Sequence, residues 1–308
     1  MVSGAEGWNA GLSCELDIDF TPAGGTGASL GESPFWDHGD SVWWVDIDER
    51  KLLRTRLSTR STESWPTPEI PGFVVLAGPD RPAIGMESGI FTFSVDSATF
   101  TRLLRFDGVG MRFNDATVDM HGRLWTSIMA LDARPARGAV CLVSDDMELR
   151  TVLTDLTTPN GLAADVSGGR LFVSDSHPDA QSIWTLPCDF ATTATGARVA
   201  FASTVAVPGR PDGAALATGG EPYWIASVDG AALHGYSRQG ALACVVPLAF
   251  PAPTKLAFFD GGVAVTAKGQ GGYGGQLALA VDVPSVLSGP AVPFWRPGRA
   301  RNSQFMRT

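Results

Sequence analysis

The chain has 308 residues, 44% of them apolar and 18% charged, and a formal net charge of −9 at pH 7. That length suffices for a large core, while 23 Lys plus Arg against 32 Asp plus Glu, with no basic run, leave no electrostatic grip on nucleic acid or an anionic membrane. No apolar stretch is long enough to span a bilayer and no cationic leader precedes an apolar run, so the expectation is a cytoplasmic protein. Four cysteines, Cys14, Cys141, Cys188 and Cys244, lie tens of residues apart without a C-x-x-C pair, and are expected to be buried free thiols.

Residues 1–11 read as a flexible leader, and residues 13–20 are the first to alternate as a strand would. From there short alternating or apolar runs bounded by Gly, Pro, Asp and Ser fill the chain, and long amphipathic helical patterns are missing, which makes the fold all-β. One segment recurs, a Gly- or Asp-containing turn followed by a strand rich in aromatic and β-branched residues. Counted from Val42, Ala83, Leu124, Leu171, Tyr223 and Val263, it repeats at intervals of 41, 41, 47, 52 and 40 residues. Six repeats of that size, most followed by a second strand after a tight turn, predict a six-bladed β-propeller. No linker divides the chain, so 12–298 reads as one domain, with 299–308 as a tail after the Pro297-Gly298 breaker.

Propeller loops at one end of the central channel gather side chains from every blade, so chemistry is sought once per blade. Glu32 stands in Leu-Gly-Glu-Ser-Pro at 30 to 34, ahead of the first repeat. Asn160, in Pro-Asn-Gly at 159 to 161, and Asp212, in Pro-Asp-Gly at 211 to 213, occupy equivalent places ahead of two later repeats. Each triplet alone reads as a turn. Together with Glu32 they are oxygen donors at matching points of three blades, a set that suits a hard or intermediate divalent ion.

These segments, with Arg-Phe-Asn-Asp at 112 to 115, Asp119 and Gly-Arg-Leu-Trp at 122 to 125, resemble the senescence-marker protein (regucalcin), gluconolactonase and luciferin-regenerating-enzyme family, in order and spacing, from about residue 12 to about residue 296. The resemblance implies a six-bladed propeller with a central metal site, in which Glu32, Asn160 and Asp212 hold one divalent ion (Ca²⁺, Mg²⁺, Mn²⁺, Zn²⁺ or Fe²⁺). It implies hydrolysis of a sugar lactone, with Asp212 as general base, Arg112 and Asn114 on substrate hydroxyls, and Asp132 as a further acceptor. The loop at 227 to 231 and Lys255, which stands where a small residue is frequent in the family, depart from the pattern near the expected pocket rim. His177, Asp229 and Lys255 are therefore further candidates to line it. Two other functions use the same residues: a related propeller hydrolase, for phosphotriesters or in a biosynthetic pathway, and a non-catalytic calcium- or ligand-binding propeller. Gly-x-Gly-x-x-Gly at 269 to 274 precedes a strand-like run rather than a helix and so is no dinucleotide site. No serine-hydrolase elbow occurs.

Overall fold

A computed structural model describes residues 14–298, so the leader at 1–11 and the tail at 299–308 lie outside the described residues. Six antiparallel sheets follow one another along the chain. Blade 1 comprises Gly31–Trp36, Ser41–Asp46, Lys51–Arg56 and Thr62–Pro66, and blade 2 comprises Phe73–Leu76, Pro82–Gly85, Gly89–Ser94 and Thr99–Arg105. Blade 3 is Met111–Val118, Leu124–Ala130, Gly138–Val143 and Leu149–Leu156; blade 4 is Pro159–Asp165, Arg170–Asp175, Ser182–Asp189 and Val199–Ser203. Blade 5 is Arg210–Leu216, Tyr223–Val228, Ala232–Tyr236 and Leu242–Pro247, and blade 6 begins with Pro253–Phe259, Gly262–Ala267 and Gly275–Val281. The first strand of each blade packs against the first strands of its neighbours, blade 6 against blade 1 included, and closes the ring.

The recurring segments of the sequence are the second strands, whose aromatic side chains fill the seams between blades. Trp43, Trp44, Trp125 and Trp224 are fully buried. Trp65 of blade 1 meets Phe93 of blade 2 at 5.2 Å, Phe73 of blade 2 meets Phe113 of blade 3 edge-on at 5.8 Å, and Phe172 of blade 4 stacks on Tyr223 of blade 5 at 4.3 Å. Large rings with a geometric preference suit this task, because each seam must hold two twisted sheets in one orientation. The turns entering the second strands are fixed by carboxylates. Asp119 accepts from the His121 and Arg123 amides, from Arg123 Nε and from Trp125 Nε1. Asp165 does the same for Gly168 and Arg170. Asp119, within the motif that carried the resemblance, is thus a turn organiser.

Blade 6 takes its outer strand from the other end of the chain: Thr21–Ala28 pairs antiparallel with Gly275–Val281. Just before it, Cys14–Glu15 lies parallel to the outer strand of blade 5, with Cys14 opposite Cys244. That register brings the two thiols together, and they form a disulfide across a sequence separation of 230. The expectation of four free thiols is therefore corrected: linear spacing does not reveal a contact made by the chain returning to its start. Cys141 and Cys188 are free and buried, and burial pushes the Cys188 thiol up to about 11, so both are poor nucleophiles.

The last strand ends at Val281, earlier than the breaker at 297 suggested, and a short 3₁₀ turn, Ser285–Leu287, leads into a segment without regular structure. Residues 288–296 run across the end of the ring where the inner strands finish. The strap is held by the Thr218 amide on the Ser288 carbonyl, by the Trp295 amide on the Leu76 carbonyl and by the Arg296 amide on the Gly122 carbonyl. His38, in the turn between the first two strands of blade 1, stacks on Phe294 at 4.2 Å and reaches the Val292 carbonyl. Among the described residues no helix is long and apolar enough to cross a membrane.

Unfolded but unreduced protein is expected to show two thiols to a thiol reagent, and reduced protein four. Reduction or Cys14→Ser lowers Tm, the chain-entropy limit for so long a loop being about 5 kcal/mol. Four thiols before reduction would contradict the bridge.

Candidate functional site

Five of the six inner strands lose register with their neighbour near their entry end. The shifts fall between Glu32 and Phe35, Phe113 and Ala116, Asn160 and Ala163, Pro211 and Ala214, and Pro253 and Lys255. The inner strand of blade 2 pairs regularly. A bulge turns side chains that would alternate in and out, and lets neighbouring residues both serve the channel. Glu32, Asn114, Asn160 and Asp212 all stand at these shifts. At Ser33 the bulge takes φ to +55°, an unusual value for a residue with a side chain, and Ser33 Oγ is held against the Val74 carbonyl and amide of blade 2. At Gly161, φ is +64° and a Cβ would lie 2.5 Å from the Tyr223 hydroxyl oxygen, so glycine is required next to Asn160.

The polar side chains form one chain of hydrogen bonds through blades 3, 4 and 5. Arg112 Nη1 donates to Asn114 Oδ1 at 2.7 Å, and Asn114 Nδ2 donates to Asn160 Oδ1 and to the Pro159 carbonyl, both at 2.9 Å. Asn160 Nδ2 donates to Ser176 Oγ at 2.9 Å, and Ser176 Oγ donates to the Pro211 carbonyl beside Asp212 at 2.5 Å. Because a guanidinium only donates, its bond fixes which way both amides face: each carbonyl oxygen points toward Arg112. Arg210, two residues before Asp212 in the same strand, donates to the Ser176 carbonyl and pairs with Asp229 at 2.7 Å on the rim.

The carboxylates lie in a poorly solvated place. Burial, above all, pushes Glu32 up to about 7, against the pull of Lys255 and the Arg112 guanidinium. Asp212 is buried, and burial, then Glu32 and Asp115, hold its carboxyl well above the usual range. Burial draws Arg112 down to about 10, opposed chiefly by Glu32. Two acidic groups that raise each other's proton affinity need a positive charge between them to stay ionised together.

Arg112, Asn114, Glu32, Asn160 and Asp212 therefore belong to one channel end. Asp132 does not join them: it lies on the surface of the loop after the second strand of blade 3, half-exposed and paired with Arg134 at 2.6 Å. His177 turns toward its own loop, where its Nδ1 accepts from the Asp179 amide. Asp229 is on the rim, but Lys255 is not. It is buried in the channel wall, with Nζ 2.5 Å from Asp115 Oδ1. Sequence reasoning passed over Ser176, whose one signal was its place between Asp175 and His177, and gave no partner for Asp115. The segment 269 to 274 is the loop between the second and third strands of blade 6, without a helix.

Residues 30–267 match the family model described as SMP-30/Gluconolactonase/LRE-like region. The chain belongs to this family. It is 28% identical over 237 residues to an L-arabinolactonase of Azospirillum brasilense, covering 74% of this chain and 77% of that protein. It is 27% identical over 217 residues to a pentonolactonase of Haloferax volcanii, covering 70% and 72%. The fold matches a calcium-binding protein, regucalcin, from Agrobacterium tumefaciens with a TM-score of 0.85 at 20% identity, over 92% of this chain and all of that one.

The matched regucalcin is described as calcium-binding, and the donors at this channel end are of a kind that suits a divalent cation. Among the described residues no three His, Cys, Asp or Glu cluster as a metal set would. The available set is instead two carboxylates and an amide oxygen, all hard donors. Asp212 is buried, and among the described residues only charged neighbours, and no hydrogen bond, act on its carboxyl. A carboxylate without a protein hydrogen bond, in the field of a second one, is what a bound cation would satisfy.

The raised carboxyls fix a pH dependence. Folded Glu32 keeps its proton to about 7 while the unfolded group releases it near 4.5, so the metal-free folded state binds more protons across that window. Its stability therefore falls as pH rises through the window, with Asp212 acting in the same direction. A divalent ion binds the ionised pair, so the rise in Tm that it produces grows with pH over the same range; equal rises at both ends, by calorimetry, would contradict the assignment.

Proposed function

We propose that this protein is a divalent-metal-dependent lactonase that hydrolyses a sugar lactone. The observation that carries the reading is the convergence of Glu32, Asn160 and Asp212 from three blades on one channel end, next to the Arg112 and Asn114 pair. Support comes from family membership and from relatives named for pentose lactone hydrolysis.

In this reading Glu32, Asn160 and Asp212 hold the cation, which when bound polarises a carbonyl and acidifies a water. Arg112 has a guanidinium fixed at the channel by its bonds to Asn114 Oδ1 and the Phe113 carbonyl, which leaves its other donors for ring oxygens. Asn114 orients Asn160 and, with Arg112, positions the substrate ring. Asp212, whose carboxyl makes no hydrogen bond among the described residues, is the carboxylate available to take a proton from the attacking water and return it to the ring oxygen as the ester opens. Seams packed with aromatic rings keep this wall rigid, so that orientation costs little when the substrate arrives. Asp132 stands outside this mechanism unless it leaves Arg134.

Base uptake at constant pH over a panel of aldonolactones tests the reading. Metal-stripped protein is inactive and regains turnover with one or more of Ca²⁺, Mg²⁺, Mn²⁺, Zn²⁺ and Fe²⁺. Asp212→Asn lowers kcat by at least about 100-fold, whereas Arg112→Ala acts mainly on KM. A panel left untouched while phosphotriesters are hydrolysed would replace the substrate class, and ion binding without any turnover would favour the binding protein.

A further inference from the structure

Of three lysines in the chain, Lys255 alone is buried, and it sits on the inner strand of blade 6 facing the channel. Its stem crosses Gly213, the residue after Asp212, so closely that a Cβ there would be 2.5 Å from Lys255 Cβ and Cγ. Its ammonium ends on the opposite side of the ring, 2.5 Å from Asp115 Oδ1 and 2.8 Å from the Ala116 carbonyl, both in blade 3. Asp115 is fully engaged: Oδ1 also accepts from the Ala116 amide, and Oδ2 accepts from the Leu162 amide of blade 4 at 2.8 Å. A small cavity of about 20 Å³, bordered by Ser33, Ala116 and Lys255, shows that this pair lies in the channel interior.

Three carboxylates, Glu32, Asp115 and Asp212, thus share the channel with two cations, Arg112 and Lys255. An ammonium is rarely buried without a task, because its desolvation is costly and the pair could be replaced by apolar side chains at little loss of stability. Asp115 directly follows Asn114 in the same bulge and, without its ammonium, would be a third anionic oxygen donor beside the cation site.

We propose that Lys255 is an internal counterion that keeps Asp115 out of the cation's ligand set and so limits the affinity and charge of the metal site. The proposal rests on the reading of Glu32, Asn160 and Asp212 as metal donors. Lys255 is a positioning residue that acts through Asp115. Its ammonium takes Asp115 as its own partner and leaves the ion two ligand carboxylates, Glu32 and Asp212, in place of three, which keeps a bound ion from being gripped as tightly as the fold would allow.

The test is a double-mutant cycle read by calorimetric titration of Ca²⁺ and Mn²⁺ into the metal-stripped full chain, with Tm followed in parallel. Lys255→Met removes the positive charge and binds the ions about 10-fold tighter; Asp115→Asn, which leaves the ammonium uncompensated, binds them about 10-fold weaker. The double variant, with both charges gone, returns to within about 3-fold of the wild type. Lys255→Gln, which keeps a donor for Asp115, gives the same tightening and serves if Lys255→Met does not fold. A pair that is only a structural staple gives weaker binding in both single variants and in the double, and that pattern overturns the counterion. A folded wild type that binds neither ion overturns the metal reading, and the counterion with it.

Discussion

Closure of the ring is the constraint on which every other feature depends. Six blades hold a central channel only if the last meets the first, and here the pairing of Thr21–Ala28 with Gly275–Val281 makes that join. One blade is therefore built from both ends of the chain, so it cannot form until nearly the whole sequence is available. The Cys14–Cys244 bridge lies immediately outside this join, on the neighbouring blade. Backbone pairing and covalent bond thus secure the same segment, and bridges of this kind persist in oxidising surroundings.

Inside the ring the channel wall is made of strands that are deliberately imperfect. A regular strand directs alternate residues to opposite faces, which would put only one of Asn114 and Asp115 in the channel. The register shifts release both, and the two side chains then take separate partners, Asn160 on one side and Lys255 on the other. Blade 2, whose inner strand has no shift, contributes Val74 and a seat for Ser33 rather than a polar donor. Irregular backbone and buried charge therefore coincide, and the well-packed seams of Trp, Phe and Tyr between blades are what hold both in place.

The architecture was legible because its signal is repeated. Val42, Ala83, Leu124, Leu171, Tyr223 and Val263 each fall in the second strand of a blade, so the interval count read the ring correctly without any knowledge of pairing. That Glu32, Asn160 and Asp212 stand at equivalent places of three blades was legible for a related reason: each precedes a repeat by a similar distance. What stayed hidden are contacts between residues far apart in sequence with no shared motif. The approach of Cys14 to Cys244 depends on a parallel strand of two residues, and the Lys255 to Asp115 pair spans the channel. Asp132 follows the second strand of blade 3, as its place in the sequence suggests, but its pairing with Arg134 on the surface is a contact that no motif announces.

The strap at 288–296 gives the channel a direction. A second cavity, about 70 Å³, lies under it between Pro290, Ala291, Val292, Pro293 and the far ends of the inner strands, with a wall that is mostly Ala, Val, Leu and Phe. The polar residues all stand at the other end. The strap therefore covers the apolar end of the ring, opposite the end at which Arg112 stands. The two ends of the ring thus differ in chemistry, one apolar and strapped, the other polar and rimmed by the Arg210 and Asp229 pair.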